Sequence, residues 1–253
     1  MGLYLFSHSL REFLRFRRIF PWVILCALGV VVAILWPYVV GAQTQAQQYA
    51  DLSSMLAFHL APLAAAIIVT SIIGQEVEQK TIVYLLTRPI SRWKLLLSRY
   101  LAACIVVAGI SILCTLALSI AIFHNPLRNE LLVPDFLAIL CGSFAYGSLF
   151  LMFSLLIVRS MIPCMLFFVW EVSIPNMPGD IYHLSIYSYM QGIAQHPVVD
   201  QQKGVAFLTG SMSNNLLTPS TSYASLIGCA LVLGALSLWW FSRFEYVPRE
   251  DAD

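Results

Sequence analysis

Charge is what this sequence has least of. Only 11% of its 253 residues are Asp, Glu, Lys or Arg, and 59% are hydrophobic, whereas an ordinary soluble domain carries about 25% charged residues. A chain so poor in charge cannot clothe a solvated surface, and its place is in a bilayer. It also lacks ten-residue segments of strict apolar and polar alternation, the mark of a membrane barrel, so helices are the structure left to satisfy its backbone in lipid. A net charge of +1 excludes a strongly basic nucleic-acid surface, and no nucleic acid is expected as a partner. CxxC spacing is absent too. The six cysteines, Cys26, Cys104, Cys114, Cys141, Cys164 and Cys229, all fall in apolar stretches, which speaks against a disulfide framework and against thiolate metal binding.

What is present is a series of long apolar runs. A helix needs about 20 apolar residues to cross hydrocarbon roughly 30 Å thick. Six windows are candidates: Phe20 to Val40, Leu52 to Ile73, Leu101 to Phe123, Phe136 to Val158, Met161 to Ile174 and Pro219 to Phe241. The fifth is short and carries Glu171. The expected fold class is therefore all-α, a polytopic membrane protein of six transmembrane helices forming one domain over residues 1–253. Basic residues set its orientation. With the N-terminus cytoplasmic, Arg11, Arg15, Arg17, Arg18, Lys80, Arg88, Arg92, Lys94, Arg99, Arg159, Arg243 and Arg249 lie inside, and only Arg128 and Lys203 outside. This asymmetry predicts that both termini are cytoplasmic. The first run exceeds the 7 to 15 residues or so of a signal-peptide core, and it is read as a retained span.

Two segments outside the spans have their own pattern. In residues 1–19, "LREFLRFRRIF" sets Leu10, Phe13, Leu14 and Phe20 near one helical side and Arg11, Arg15 and Arg18 on another. That predicts a basic amphipathic helix on the inner membrane surface, or equally a simple positive-inside anchor. Residues 175–219 are too long for an idle connection. Ile181, Leu184, Tyr187, Met190 and Ile193 recur every three residues there, which predicts short extracytoplasmic helices between spans five and six, with Tyr182, Tyr187 and Tyr189 at the interface.

The densest charge lies in residues 76–92. After Gly74, acids and bases surround an apolar stripe of Ile82, Leu85 and Leu86 at helical spacing. Pro89 then breaks the helix, because it lacks an amide proton and disfavours helical geometry at Arg88. Ser91 can cap a new helix that begins with Arg92 and runs into the third span. The reading is a short cytoplasmic helix and a proline turn held by two membrane helices. A soluble partner would pair with its charges and receive the stripe in a groove; the alternative is a solvated loop that sets topology.

The stretch E-x-E-x-x-T-I-x-x-L-L-T-R-P-I-S-R, Glu76 to Arg92, resembles the loop between the second and third spans of bacterial ABC-2 type permeases, the membrane subunits of ATP-binding-cassette exporters. Glu76, Thr81, Ile82, Leu85, Leu86, Arg88, Pro89, Ile90, Ser91 and Arg92 stand at matching places. The departures are Lys80 where Gly is usual, Thr87 for Ser and Arg99 for Lys. Six spans, the N-terminal amphipathic helix and the Trp170 and Glu171 pair extend the likeness as a pattern of hydropathy. The resemblance implies that the hairpin is a coupling helix, with Glu76, Glu78, Thr81, Ile82, Leu85, Leu86, Arg88, Pro89 and Arg92 as its contact residues. It also implies a separate cytoplasmic ATPase subunit that binds ATP and magnesium, a second permease copy as partner, residence in the bacterial inner membrane, and no cofactor or catalytic residue in this chain. The expected function is export of a hydrophobic or amphipathic substrate, or transmission of mechanical work.

Other signals weigh less. "GQEVEQKT", Gly74 to Thr81, is a phosphate-loop pattern with Gln79 in place of the second Gly. A membrane span rather than a strand precedes it, and Glu76 and Glu78 would repel phosphate. Glu171 is an acid inside a span, hence a functional suspect for a substrate pathway or a contact between copies; it could equally sit near the outer headgroups at little cost. His59 has no His or carboxylate at helical spacing, which favours a packed side chain over a metal site, with a substrate pathway as its other use. An intramembrane enzyme or heme-delivery protein is the alternative function. It would need a polar cluster in the bilayer, for which the sequence offers Glu171, His59 and little else. Gly142, Ser143, Ala145, Gly147 and Ser148 read as small residues for close helix packing.

Overall fold

The computed structural model describes residues 2–41, 43–78, 92–125, 129–157, 160–173, 183–196 and 217–243, and among these the only regular structure is helix. In chain order the helices are α1 (Gly2–Phe13), α2 (Phe16–Val40), α3 (Gln45–Leu52), α4 (Phe58–Glu78), α5 (Arg92–Phe123), α6 (Leu132–Leu156), α7 (Met161–Ser173), α8 (Ile186–Ala194) and α9 (Pro219–Arg243).

α3 and α4 are one rod joined by a π-helical turn, Ser53–Ala57. Thr44 starts it with a capping box: its hydroxyl accepts from Gln47 N at 3.3 Å, and its own N–H donates to the Gln47 side chain at 3.3 Å, satisfying two donors that would otherwise be orphaned. Pro62 sits inside α4 and has no amide proton for the Phe58 carbonyl. The wide turn ends immediately before that residue.

Among the described residues, five helical runs are long and apolar enough to cross a membrane: Arg18–Val40, Gln45–Ile72, Trp93–Phe123, Leu132–Leu156 and Pro219–Arg243. They coincide with five of the six windows expected from the sequence. The remaining one, α7, has 13 residues. At 1.5 Å per residue it reaches about 20 Å, short of the roughly 30 Å of a hydrocarbon core.

Burial sorts the spans into layers. Within their apolar windows, 56 to 61% of the rod, α5 and α6 is buried, against 17% of α2 and 22% of α9. The three central helices pack through small residues: Ala61, Ala64, Ala65 and Ala66 of α4, Ala102 and Ala103 of α5, and Ala138 and Ala145 of α6 are all buried. At Gly147 a Cβ would come within 2.5 Å of Cys104 Sγ on α5, and at Gly142 it would run into Met190 of α8. Both glycines let a neighbour approach where any side chain would hold it off, in agreement with the packing role expected of this stretch.

α9 lies along α6, α1 lies along α5, and α8 is wedged against α6 and α9. α1 is helical as expected and turns its Phe13 inward, but Leu14 is 49% and Phe20 50% exposed. The expected apolar stripe of the first 19 residues is thus split, because the chain breaks at Leu14 and Arg15 and starts α2 at Phe16, four residues before the expected span.

Candidate functional site

Following the helices back and forth gives the bundle two ends. The close of α4, the start of α5, the elbow between α1 and α2 and the end of α9 share one; the rod's beginning, the start of α6 and α8 share the other. Of the residues expected to carry coupling, Thr81, Ile82, Leu85, Leu86, Arg88 and Pro89 lie outside the described residues. Glu76 and Glu78 fall in the last turns of α4, and Arg92 is the first residue of α5. Next to it Lys94 places its ammonium 5.4 Å from the Trp93 ring.

The other end holds a buried polar network. Asp135, in the first turn of α6, is fully buried. Its Oδ2 accepts from the Tyr49 hydroxyl at 2.8 Å and the Ser53 hydroxyl at 2.6 Å. Its Oδ1 lies 2.7 Å from His196 Nε2. The other nitrogen of that imidazole, Nδ1, is 2.8 Å from Ser54 Oγ, and the ring stacks on Phe58 at 5.5 Å. With the proton on Nε2, His196 donates to Asp135 and accepts from Ser54, and every group is satisfied. The π turn presents the Ser54 carbonyl, which accepts from the Tyr187 hydroxyl at 3.2 Å and meets His59 Nδ1 at 3.0 Å. Gln191 donates to the same Tyr187 oxygen at 2.9 Å.

Glu171 anchors the opposite end of α8. It is 1% exposed, and its Oε1 accepts from the Tyr146 hydroxyl at 2.8 Å, the Ser185 hydroxyl at 3.1 Å and the Tyr187 amide at 2.6 Å. Ser185 in turn caps α8 by accepting from Ser188 N at 3.2 Å. Glu171 is therefore enclosed by the protein. A carboxylate at a helix N-terminus meets unpaired amides and the positive end of the dipole, which repays part of its desolvation.

Two expectations need correction. Tyr187, expected at the membrane interface, is 1% exposed because its hydroxyl is taken up by the π turn. The polar content of the bundle is also larger than Glu171 and His59: Asp135, His196, Tyr49, Ser53, Ser54, Tyr146 and Tyr187 join it. His59 itself is half-buried, its ring 4.6 Å from that of Tyr187, a packed histidine. Of the expected helical stripe, Tyr187, Met190 and Ile193 are buried, Leu184 is exposed, and Ile181 lies outside the described residues.

The order Ser54, His196, Asp135 is that of a hydrolytic relay. A nucleophile also needs room for a substrate carbonyl and donors for its oxyanion, whereas Ser54 is 3% exposed. The arrangement ties α8 at both ends to α6, α7 and the rod through buried hydrogen bonds.

The family model described as an ABC-2 family transporter protein matches residues 10–173, about two thirds of the chain. The chain belongs to the ABC-2 transporter family. No curated protein matches it. The ABC-2 match takes in α2 to α7, the charged stretch of residues 76–92, Asp135 and Glu171, while His196, α8 and α9 lie beyond it. Members of this family are multi-pass membrane components of transport systems that work with a cytoplasmic ATPase, and the five long apolar helices agree with that role.

Proposed function

We propose that this chain is the permease subunit of an ATP-binding-cassette exporter, non-catalytic itself and driven by a separate cytoplasmic ATPase that binds ATP and magnesium. The observation that carries the reading is the family match across residues 10–173, which includes the hairpin. Residues 76–92 serve as the coupling element: Glu76, Glu78, Arg88 and Arg92 fix register on the ATPase, and Ile82, Leu85 and Leu86 fill its groove. α7 counts as one of six spans. The bundle end that bears the hairpin faces the cytoplasm of a bacterial inner membrane together with both termini, and the network of Asp135 and Glu171 faces outward. Two copies enclose a pathway for a hydrophobic or amphipathic substrate, or pass mechanical work between the two sides.

Copurification from native membranes tests this. An ATPase subunit should accompany the wild-type chain, and Glu76→Ala combined with Arg88→Ala should reduce its recovery at least about tenfold, since two desolvated charge contacts cost roughly 2 kcal/mol or more. Unchanged recovery and ATP turnover in the double variant would remove the hairpin from its assigned role.

A further inference from the structure

Where α1 turns into α2, a cavity of about 320 Å³ opens between these two helices, α4 and α5. Its walls are apolar: Phe13, Trp22, Ile67, Ile68, Val106 and Ile110. Two polar residues, Arg18 and Ser71, border it. The Ser71 hydroxyl is turned back on its own helix, donating to the Ile68 carbonyl at 2.7 Å. Arg18 is thus the cavity's cation, its guanidinium 6.0 Å from the Phe13 ring. It stands at the first residue of the α2 span, and Ser71 one residue from the end of the rod's span, so the polar side of the cavity is at the hydrocarbon boundary. Phe13, Trp22, Val106 and Ile110 are buried, whereas Ile67 is 39% exposed and leaves one wall open to lipid.

We infer that this cavity holds one acyl chain of an anionic phospholipid, with the headgroup phosphate on Arg18. The volume is at the small end of ligand pockets, about 300 to 1,000 Å³, and suits a single chain whose partner chain stays in the bilayer past Ile67. Arg18 also interacts within the chain; its five N–H donors allow a phosphate to be held alongside. A guanidinium at the inner headgroup level favours anionic over zwitterionic lipid about fivefold. The site differs from the polar network, which occupies the other end of the bundle, and it does not depend on the transport reading.

The test uses the full chain in nanodiscs with phosphatidylglycerol that carries a diazirine on one acyl chain; parallel arms use phosphatidylcholine and palmitate with the same group. Irradiation and peptide mass mapping should place the phosphatidylglycerol adduct on Trp22, Ile67, Ile68, Val106 or Ile110, about fivefold above the phosphatidylcholine yield. Arg18→Gln should bring the two yields together. Ile67→Trp should fill the cavity and remove adducts from all these positions while labelling at the exposed Leu231 persists, and an unfolding midpoint in nanodiscs close to that of the wild type reports that the variant is folded. Equal yields for both lipids in the wild type, no response to either variant, labelling by palmitate alone, or a cross-link from Ile67 to a second copy in place of lipid would each overturn the inference.

Discussion

Glu171 shows what a single carboxylate does here. One oxygen takes three donors, while Oε2 is buried without a hydrogen-bond partner among the described residues. Glu171→Gln keeps an acceptor for the three donors, and a cost of about 1 kcal/mol is expected. Glu171→Ala strands the Tyr146 and Ser185 hydroxyls and the Tyr187 amide, and the loss should reach about 3 kcal/mol or more. Unfolding in mixed micelles reads the difference; equal losses for the two variants would show that the acceptor is unimportant. At Ser54 a fluorophosphonate probe should leave the residue unlabelled in the folded protein, because its side chain is buried and the probe cannot reach it. Labelling that disappears in His196→Ala would instead establish an enzyme. The sequence marked Glu171 as a suspect because no other acid interrupts a span, but left open whether it lay inside the bundle or near the outer headgroups. Asp135 was hidden by standing at a span's edge, where an acid is ordinary, and His196 by lying 61 positions away from it, just past the end of the apolar stripe that announced α8.

Among the elements, α8 is held by polar anchors at its ends and by shape in its middle. Met190 lies where Gly142 of α6 leaves space. Gly142→Leu should displace α8 and cost about 1 to 3 kcal/mol, and Met190→Ala in the same chain should restore part of that loss, since the two side chains compete for one volume. Thermal unfolding of the two singles and the double makes the cycle, and strict additivity would refute the contact. Helices of 25 to 32 residues such as α2, α5, α6 and α9 were legible from apolar run length alone, because lipid imposes a minimum length. α8 was legible as a short helix but not in its surroundings. An apolar stripe with tyrosines looks the same whether it meets headgroups or a protein groove, and only the partners of Tyr187 distinguish them. Nor did the sequence disclose the π turn, since Ser, Met, Leu and Ala are as compatible with an α-helix.

For the whole molecule, the division into two ends implies an orientation that chemistry can check. Cysteines introduced at the exposed positions Ala46 and His124 share one end, and those at the exposed Lys94 and Ser242 the other. In intact cells an impermeant maleimide should label the first pair above the background of the native cysteines, and the second pair only after lysis. Labelling of Lys94→Cys in intact cells would invert the proposed topology. The wide turn at Ser53–Ala57 carries an evolutionary corollary. A π turn stores one surplus residue without altering the facing of the helix on either side, so losing one residue there rewinds a plain helix and leaves Tyr49 and Phe58 turned to their present neighbours. Losing one anywhere from Leu60 to Ile72 would rotate the remainder by about 100°. Relatives of this chain that differ by a single deletion in this rod should therefore carry it between Ser53 and Ala57.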